Sequence, residues 1–138
     1  MNDSTTASII DGKATALGLR AWIGGQVASL NSNHGIRPGL AVVLVGEDPA
    51  SEVYVRNKRK TAVKLGMESY EHTLPADSDP ETVMRLVQDL NADPKVHGIL
   101  VQLPLPKHLD EKPVVLAINP LKDVDGLHPE NAGRLMAG

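Results

Sequence analysis

Six consecutive apolar residues, Leu40-Ala41-Val42-Val43-Leu44-Val45, constrain this chain more than any other feature. A strand with one face in water alternates apolar with polar side chains. A run without alternation reads as a strand buried on both faces, as in a parallel sheet covered by helices. The flanks agree with that reading. Pro38-Gly39 punctuates a loop before the run, and Gly46-Glu47 turns the chain after it. Asp48-Pro49 then supplies a helix N-cap followed by proline at the first helical position. A helix over about 49–65 is predicted, stopped by Gly66.

The rest of the chain repeats this alternation of helix and strand. Ala16, Leu19, Ile23, Val27 and Leu30 recur every three or four positions and predict an amphipathic helix over about 12–31, weakened by Gly24-Gly25. A second strand is expected at 67–74, ended by Pro75. Asp79-Pro80-Glu81 opens a helix with Val83, Leu86, Val87 and Leu90 on one face. A turn at 91–95 leads to a third strand at 96–101, then to Leu103-Pro104-Leu105-Pro106 and a short helix near 110–118. The last twenty residues, from Asn119, are rich in turn formers; they are expected to be mostly irregular, with no closing helix. The pattern predicts an α/β fold, a mainly parallel sheet in a three-layer α/β/α sandwich. Right-handed crossovers place every strand-to-helix loop at one edge of such a sheet, and ligands bind there. Residues following Val45 and Val101 are therefore the ones to search for chemistry.

Composition excludes several classes. A length of 138 residues suits one domain, taken as 9–138 after a flexible polar tail at 1–8. A net charge of -3 gives no general attraction for nucleic acid. The basic run Arg56-Asn57-Lys58-Arg59-Lys60 lies in a helical pattern with almost no aromatics for stacking bases. With no cysteine, thiolate nucleophiles and thiolate metal sites are ruled out. His34, His72, His97, His108 and His128 show no close pair at ligand spacing, so no metal site is expected. No apolar stretch approaches spanning length and no secretion signal is visible, so a cytoplasmic location without membrane contact is expected.

Tyr54 and Lys58 are four residues apart and share one face of the helix after the first strand. A lysine turned inward, away from water and beside other cations, favours its neutral form and can shuttle protons. A lysine that merely lays its stem along a solvated helix is the commoner case. Gln102 follows the third strand directly, where an amide either joins such a lysine or satisfies backbone groups of the proline turn. Lys122-Asp123-Val124-Asp125-Gly126 sets two carboxylates in an irregular segment. Such a pair can bind a cation, accept from a heterocycle or shape a turn, and the turn is the default. There is no G-x-G-x-x-G, Walker loop, G-x-S-x-G or H-E-x-x-H.

These segments resemble a known family. Val45-Gly46-Glu47-Asp48-Pro49-Ala50-Ser51-Glu52-Val53-Tyr54-Val55-Arg56-Asn57-Lys58 is similar to the first signature of the bifunctional methylenetetrahydrofolate dehydrogenase/methenyltetrahydrofolate cyclohydrolases. Gly98-Ile99-Leu100-Val101-Gln102-Leu103-Pro104-Leu105-Pro106 is similar to the second. Pro120-Leu121-Lys122-Asp123-Val124-Asp125-Gly126, with Asn131-Ala132-Gly133-Arg134-Leu135, is similar to the third. The resemblance implies that Lys58 is the central catalytic residue, that Gln102 works with it, that Tyr54 packs on the folate rings and that Asp125 grips the pterin. It also implies folate contact along Tyr54, Val55, Arg56, Asn57 and Lys58, and along Val101, Gln102 and Leu103.

The activity so implied is NADP-dependent oxidation of 5,10-methylenetetrahydrofolate to the methenyl cation, then hydrolysis to 10-formyltetrahydrofolate. One-carbon metabolism feeding purine biosynthesis, a tetrahydrofolate substrate, a cytoplasmic location and a homodimer come with the resemblance. Family members carry a second, Rossmann-type nicotinamide-binding domain, which these residues lack. Alone, the chain is therefore expected to hold one wall of the folate cleft and not to bind NADP. The competing class is a non-catalytic folate-binding or interaction module, with the chain alone inactive.

Overall fold

A computed structural model describes residues 9–138, so the expected tail at 1–8 lies outside the described residues. Three strands, β1 (Gly39–Val45), β2 (Glu68–Leu74) and β3 (Gly98–Val101), form a parallel sheet in the order β2-β1-β3. The apolar run is the central strand. It pairs with β2 from Gly39↔Glu68 to Val45↔Leu74, and with β3 from Leu40↔Gly98 to Val43↔Val101.

Burial on both faces explains the missing alternation. Ala41, Val43 and Val45 join Ile99 and Val101 in the larger cluster. There they meet Val83, Val87 and Leu90 of α3 (Pro80–Ala92) and Val114 of α4 (Glu111–Ala117). Val42, Leu44 and Leu100 face the other way, onto Val55 of α2 (Pro49–Lys64). Helices on both sides of one parallel sheet make the predicted three layers. The edge strand β2, Glu-Ser-Tyr-Glu-His-Thr-Leu, is nowhere fully buried, in keeping with its polar sequence.

Aspartates start the helices as the sequence suggests. The Asp48 and Asp79 side chains accept from the backbone N–H groups of Ser51 and Thr82, each at 2.8 Å. The first helix, α1 (Gly12–His34), begins at Asp11 and ends at Gly35, whose φ of +65° suits glycine. It runs through Gly24-Gly25 without a break and buries only Val27.

Two expectations are corrected. The third strand begins at Gly98 rather than 96, because the His97 ring intervenes: its Nδ1 accepts from Gly39 N–H at 3.0 Å while His97 N–H donates to Gly39 O at 2.8 Å. A closing helix, expected to be absent, is present: α5 (Pro129–Ala137) follows the turns after Asn119. His128 Nδ1 caps it by accepting from Glu130 N–H, and Arg134 pairs with Glu130 one turn away. None of its residues is buried, although Pro129 at its first turn and the apolar Ala132, Leu135 and Met136 on one face were a readable helix signal.

Candidate active site

The order β2-β1-β3 makes the connections leave β1 on one side and return to it on the other. A crevice opens where the order reverses, outside the carboxyl ends of β1 and β3, the usual ligand position in open α/β sheets. Two of the residues singled out beforehand, Lys58 and Gln102, meet beside it. Gln102 continues β3, its backbone N–H donating to Val43 O of β1 at 2.8 Å. Its side-chain Oε1 accepts from Lys58 Nζ at 3.1 Å, across 44 residues of sequence. Gln102 Nε2 donates to the Leu103 carbonyl at 2.8 Å, which fixes the amide so that its oxygen faces the amine. The two readings of Gln102 thus meet in one side chain, half serving the proline turn and half holding the lysine.

Lys58 is half-buried, and among the described residues no carboxylate lies within ion-pair distance of it. Its helix neighbour Arg59 is instead committed to Glu71 at 3.4 Å. Lys58 lines a recess of about 390 Å³ together with Tyr54, Asn57, Thr61 and Leu100. Tyr54 is 62% exposed and offers its ring to this space. A second recess, of about 420 Å³, shares Leu65 and Met67 with the first and is lined further by Val27 and by the Arg37–Glu68 ion pair.

The two carboxylates of the Lys122–Gly126 segment divide their work. Asp123 shapes the turn by accepting from Gly126 N–H (3.1 Å), His128 N–H (2.9 Å) and Asn131 Nδ2 (3.0 Å). Burial acts to raise its carboxyl, but the Asn131 amide and the backbone N–H groups of His128, Gly126 and Leu127 outweigh that and hold it below its ordinary value. Asp125 is exposed, and its side chain accepts no hydrogen bond from the described residues. Asp123 forms a parallel bridge with Ile99, so the chain runs from there toward the C-terminal end of β3.

Residues 10–125 match the family model described as tetrahydrofolate dehydrogenase/cyclohydrolase, catalytic domain. The chain belongs to this family. It is 63% identical over 132 residues to the bifunctional protein FolD of Nitrobacter winogradskyi, covering 96% of this chain and 45% of that relative. It is 61% identical over 133 residues to its counterpart in Phenylobacterium zucineum, with the same coverage of each. Among solved structures it resembles the Trypanosoma brucei methylenetetrahydrofolate dehydrogenase-cyclohydrolase, complexed with NADP cofactor and inhibitor. The TM-score is 0.89 with 40% identity, over 94% of this chain and 44% of that one. The Bombyx mori 5,10-methylenetetrahydrofolate dehydrogenase gives 0.90 with 41% identity, over 96% and 46%. The chain thus spans about half the length of these relatives.

The other residues for which the resemblance implies folate contact divide by helical and strand geometry. Asn57 lines the recess with Lys58. Val55 and Val101 turn their side chains into the core. Arg56 lies on the outer side of α2 beside Arg59 and Lys60. Leu103 presents its carbonyl to Gln102, ahead of a cis bond to Pro104.

The N-termini of α2 and α3, the natural anion sites, are already occupied by the carboxylates of Asp48 and Asp79. Among the described residues no three His, Asp or Glu gather to hold a metal ion, and no helix is long and apolar enough to cross a membrane.

Proposed function

We propose that this chain supplies the folate-binding and proton-transfer wall of a bifunctional methylenetetrahydrofolate dehydrogenase/cyclohydrolase. The full-length polypeptide oxidises 5,10-methylenetetrahydrofolate with NADP and hydrolyses the methenyl product to 10-formyltetrahydrofolate. The observation that carries this reading is the Lys58 Nζ to Gln102 Oε1 contact of 3.1 Å at the crevice. The family relatives support the substrate class, and the NADP complex of the trypanosomal relative supports the cofactor. The NADP contacts, like those of a cytoplasmic homodimer serving purine biosynthesis, are assigned to residues outside this chain's cleft.

The chemistry of hydrolysis fits the residues present. Water must add to the methenyl carbon and lose a proton, N5 must gain one as its bond to that carbon breaks, and the carbinol hydroxyl must release its own proton to solvent as the formyl carbonyl forms. An amine beside the carbon can shuttle protons, taking one from the water and delivering one to N5, so no net proton is consumed by the side chain. Gln102 orients that amine through Oε1 while its own orientation is locked by the Leu103 carbonyl. The flat p-aminobenzoyl group stacks on Tyr54. Adjacent N–H donors of the pterin pyrimidine are taken by the free carboxylate of Asp125.

The test is Lys58→Met in the full-length polypeptide, followed by the absorbance of the methenyl compound. The expected outcome is loss of hydrolysis by at least about 10²-fold with folate binding largely kept. Hydrolysis at the normal rate would sink the assignment.

A further inference from the structure

Lys122 plays no part in the reaction above, yet its amine is fully engaged. Nζ donates to Leu90 O at 3.1 Å, Asn91 O at 2.8 Å and Asp93 O at 2.8 Å. These carbonyls close the C-terminal end of α3, where helix groups lack internal partners and partial negative charge collects. All three donors of one ammonium are spent on a single helix end, an arrangement a solvated lysine does not adopt. The backbone beside it is fixed as well. Ile99 N–H donates to Lys122 O at 2.7 Å, and Val124 lies so close over Gly98 that a Cβ there would fall 2.5 Å from its Cγ1. Asn91 adds a further tie: its Oδ1 accepts from Asn119 N–H at 2.9 Å while its Nδ2 donates to Ala117 O at 2.7 Å. The segment is pinned up to Val124, and the unbonded carboxylate of Asp125 follows immediately.

We infer that Lys122 is a positioning residue for folate binding: seated on the end of α3, its amine anchors the segment that presents Asp125 to the pterin. The inference rests on the proposed role of Asp125. A carboxylate that must meet two adjacent N–H groups at once gains from a fixed carrier, because misplacement by an ångström forfeits the paired geometry. Lys122 touches no substrate in this account. Its effect reaches the ligand only through Asp125.

The experiment is a double-substitution cycle in the full-length polypeptide with Lys122→Met, Asp125→Asn and both together. KM and kcat for methenyltetrahydrofolate hydrolysis are measured beside the melting temperature. Lys122→Met is expected to raise KM about tenfold and leave kcat within about twofold, and the double variant to bind no worse than Asp125→Asn alone. Lys122→Arg, which keeps charge and several donors, is expected to return KM to within about threefold of the parent. Should Lys122→Met not fold, Lys122→Gln replaces it in the cycle. Losses that multiply in the double variant overturn the inference, as does an unchanged KM with a lower melting temperature, the signature of a helix cap alone. If Asp125→Asn itself leaves KM unchanged, the pterin role fails and the inference with it. A weakened Asp125→Asn beside a normal Lys122→Met overturns the inference alone.

Discussion

Replacing Gln102 by leucine tests the site at its hinge. The side chain makes two hydrogen bonds, accepting from Lys58 Nζ at 3.1 Å and donating to Leu103 O at 2.8 Å. Leucine has a similar volume and removes both. A hydrogen bond to a charged partner is worth about 1.5–3 kcal/mol net. If that energy holds the amine at the reacting carbon, its loss slows hydrolysis about 10- to 150-fold. The Leu103 carbonyl also loses its side-chain donor, but the position is half-buried and water can replace it, so stability falls by only about 1 kcal/mol. Steady-state hydrolysis at saturating folate, in the full-length polypeptide, reads the first quantity, and thermal unfolding reads the second. A variant that melts earlier yet hydrolyses within about threefold of the parent refutes the reasoning. Gln102 would then serve the proline turn and nothing else.

Asp125→Asn is expected to raise the folate dissociation constant about tenfold or more at an unchanged melting temperature, because the side chain is free of intramolecular hydrogen bonds; titration of folate checks it. Gly39→Ala sets a Cβ 2.1 Å from the Lys95 carbonyl oxygen and 2.8 Å from the Tyr70 ring, so backbone must move; denaturant unfolding should show a loss of about 3 kcal/mol, and a loss under about 1 kcal/mol would contradict the packing. Asp48 lies below its ordinary value of 3.8 through the Ser51 backbone N–H and hydroxyl, and Asp79 through the Thr82 hydroxyl and backbone N–H. Both values are lowered by folding, so their stabilisation is complete above about pH 4 and is lost as pH falls through the folded values. Asp79→Asn, which keeps an uncharged acceptor, is expected to flatten this acid limb; an unchanged slope in pH-dependent unfolding would contradict it.

Local rules carried most of the fold. The unbroken apolar run, the three-to-four periodicity of the first helix, the Asp-Pro starts and the stop at Gly66 marked β1, α1, α2 and α3 to within a few residues, since each rests on patterns close in sequence. What escaped was set from a distance. The start of β3 was moved by the His97 ring bonding Gly39, 58 residues away in sequence, and α5 lies among turn formers that hid its start at Pro129. In the candidate site, side-chain direction decided more than motif membership. Tyr54, Val55, Arg56, Asn57 and Lys58 stand together in sequence, yet 100° per residue sends Val55 into the core and Arg56 to the outer side. Lys122 belonged to a motif read for its carboxylates, and its three carbonyl partners sit some thirty residues away, at the far end of α3.

Strand order is the element that makes the site, and nothing in the periodicity of the chain encodes it. Alternating helices and strands predict a parallel sheet equally well for β1-β2-β3 and for β2-β1-β3. In the first order, the loops after β1 and β3 are separated by two strand spacings, roughly 10 Å, with β2 between them. Lys58 would then meet the end of β2, and Gln102 would be left to the proline turn. In the observed order β1 is central, β3 is its neighbour, and the reversal opens the crevice where the lysine of α2 finds the glutamine that follows β3. The composition of β2 is what selects between them. A strand reading Glu-Ser-Tyr-Glu-His-Thr-Leu, with no fully buried position, is stable only at an edge, whereas Leu40 to Val45 is stable only between two neighbours. Burial preference at the edge thus brings together two side chains that no local rule connects.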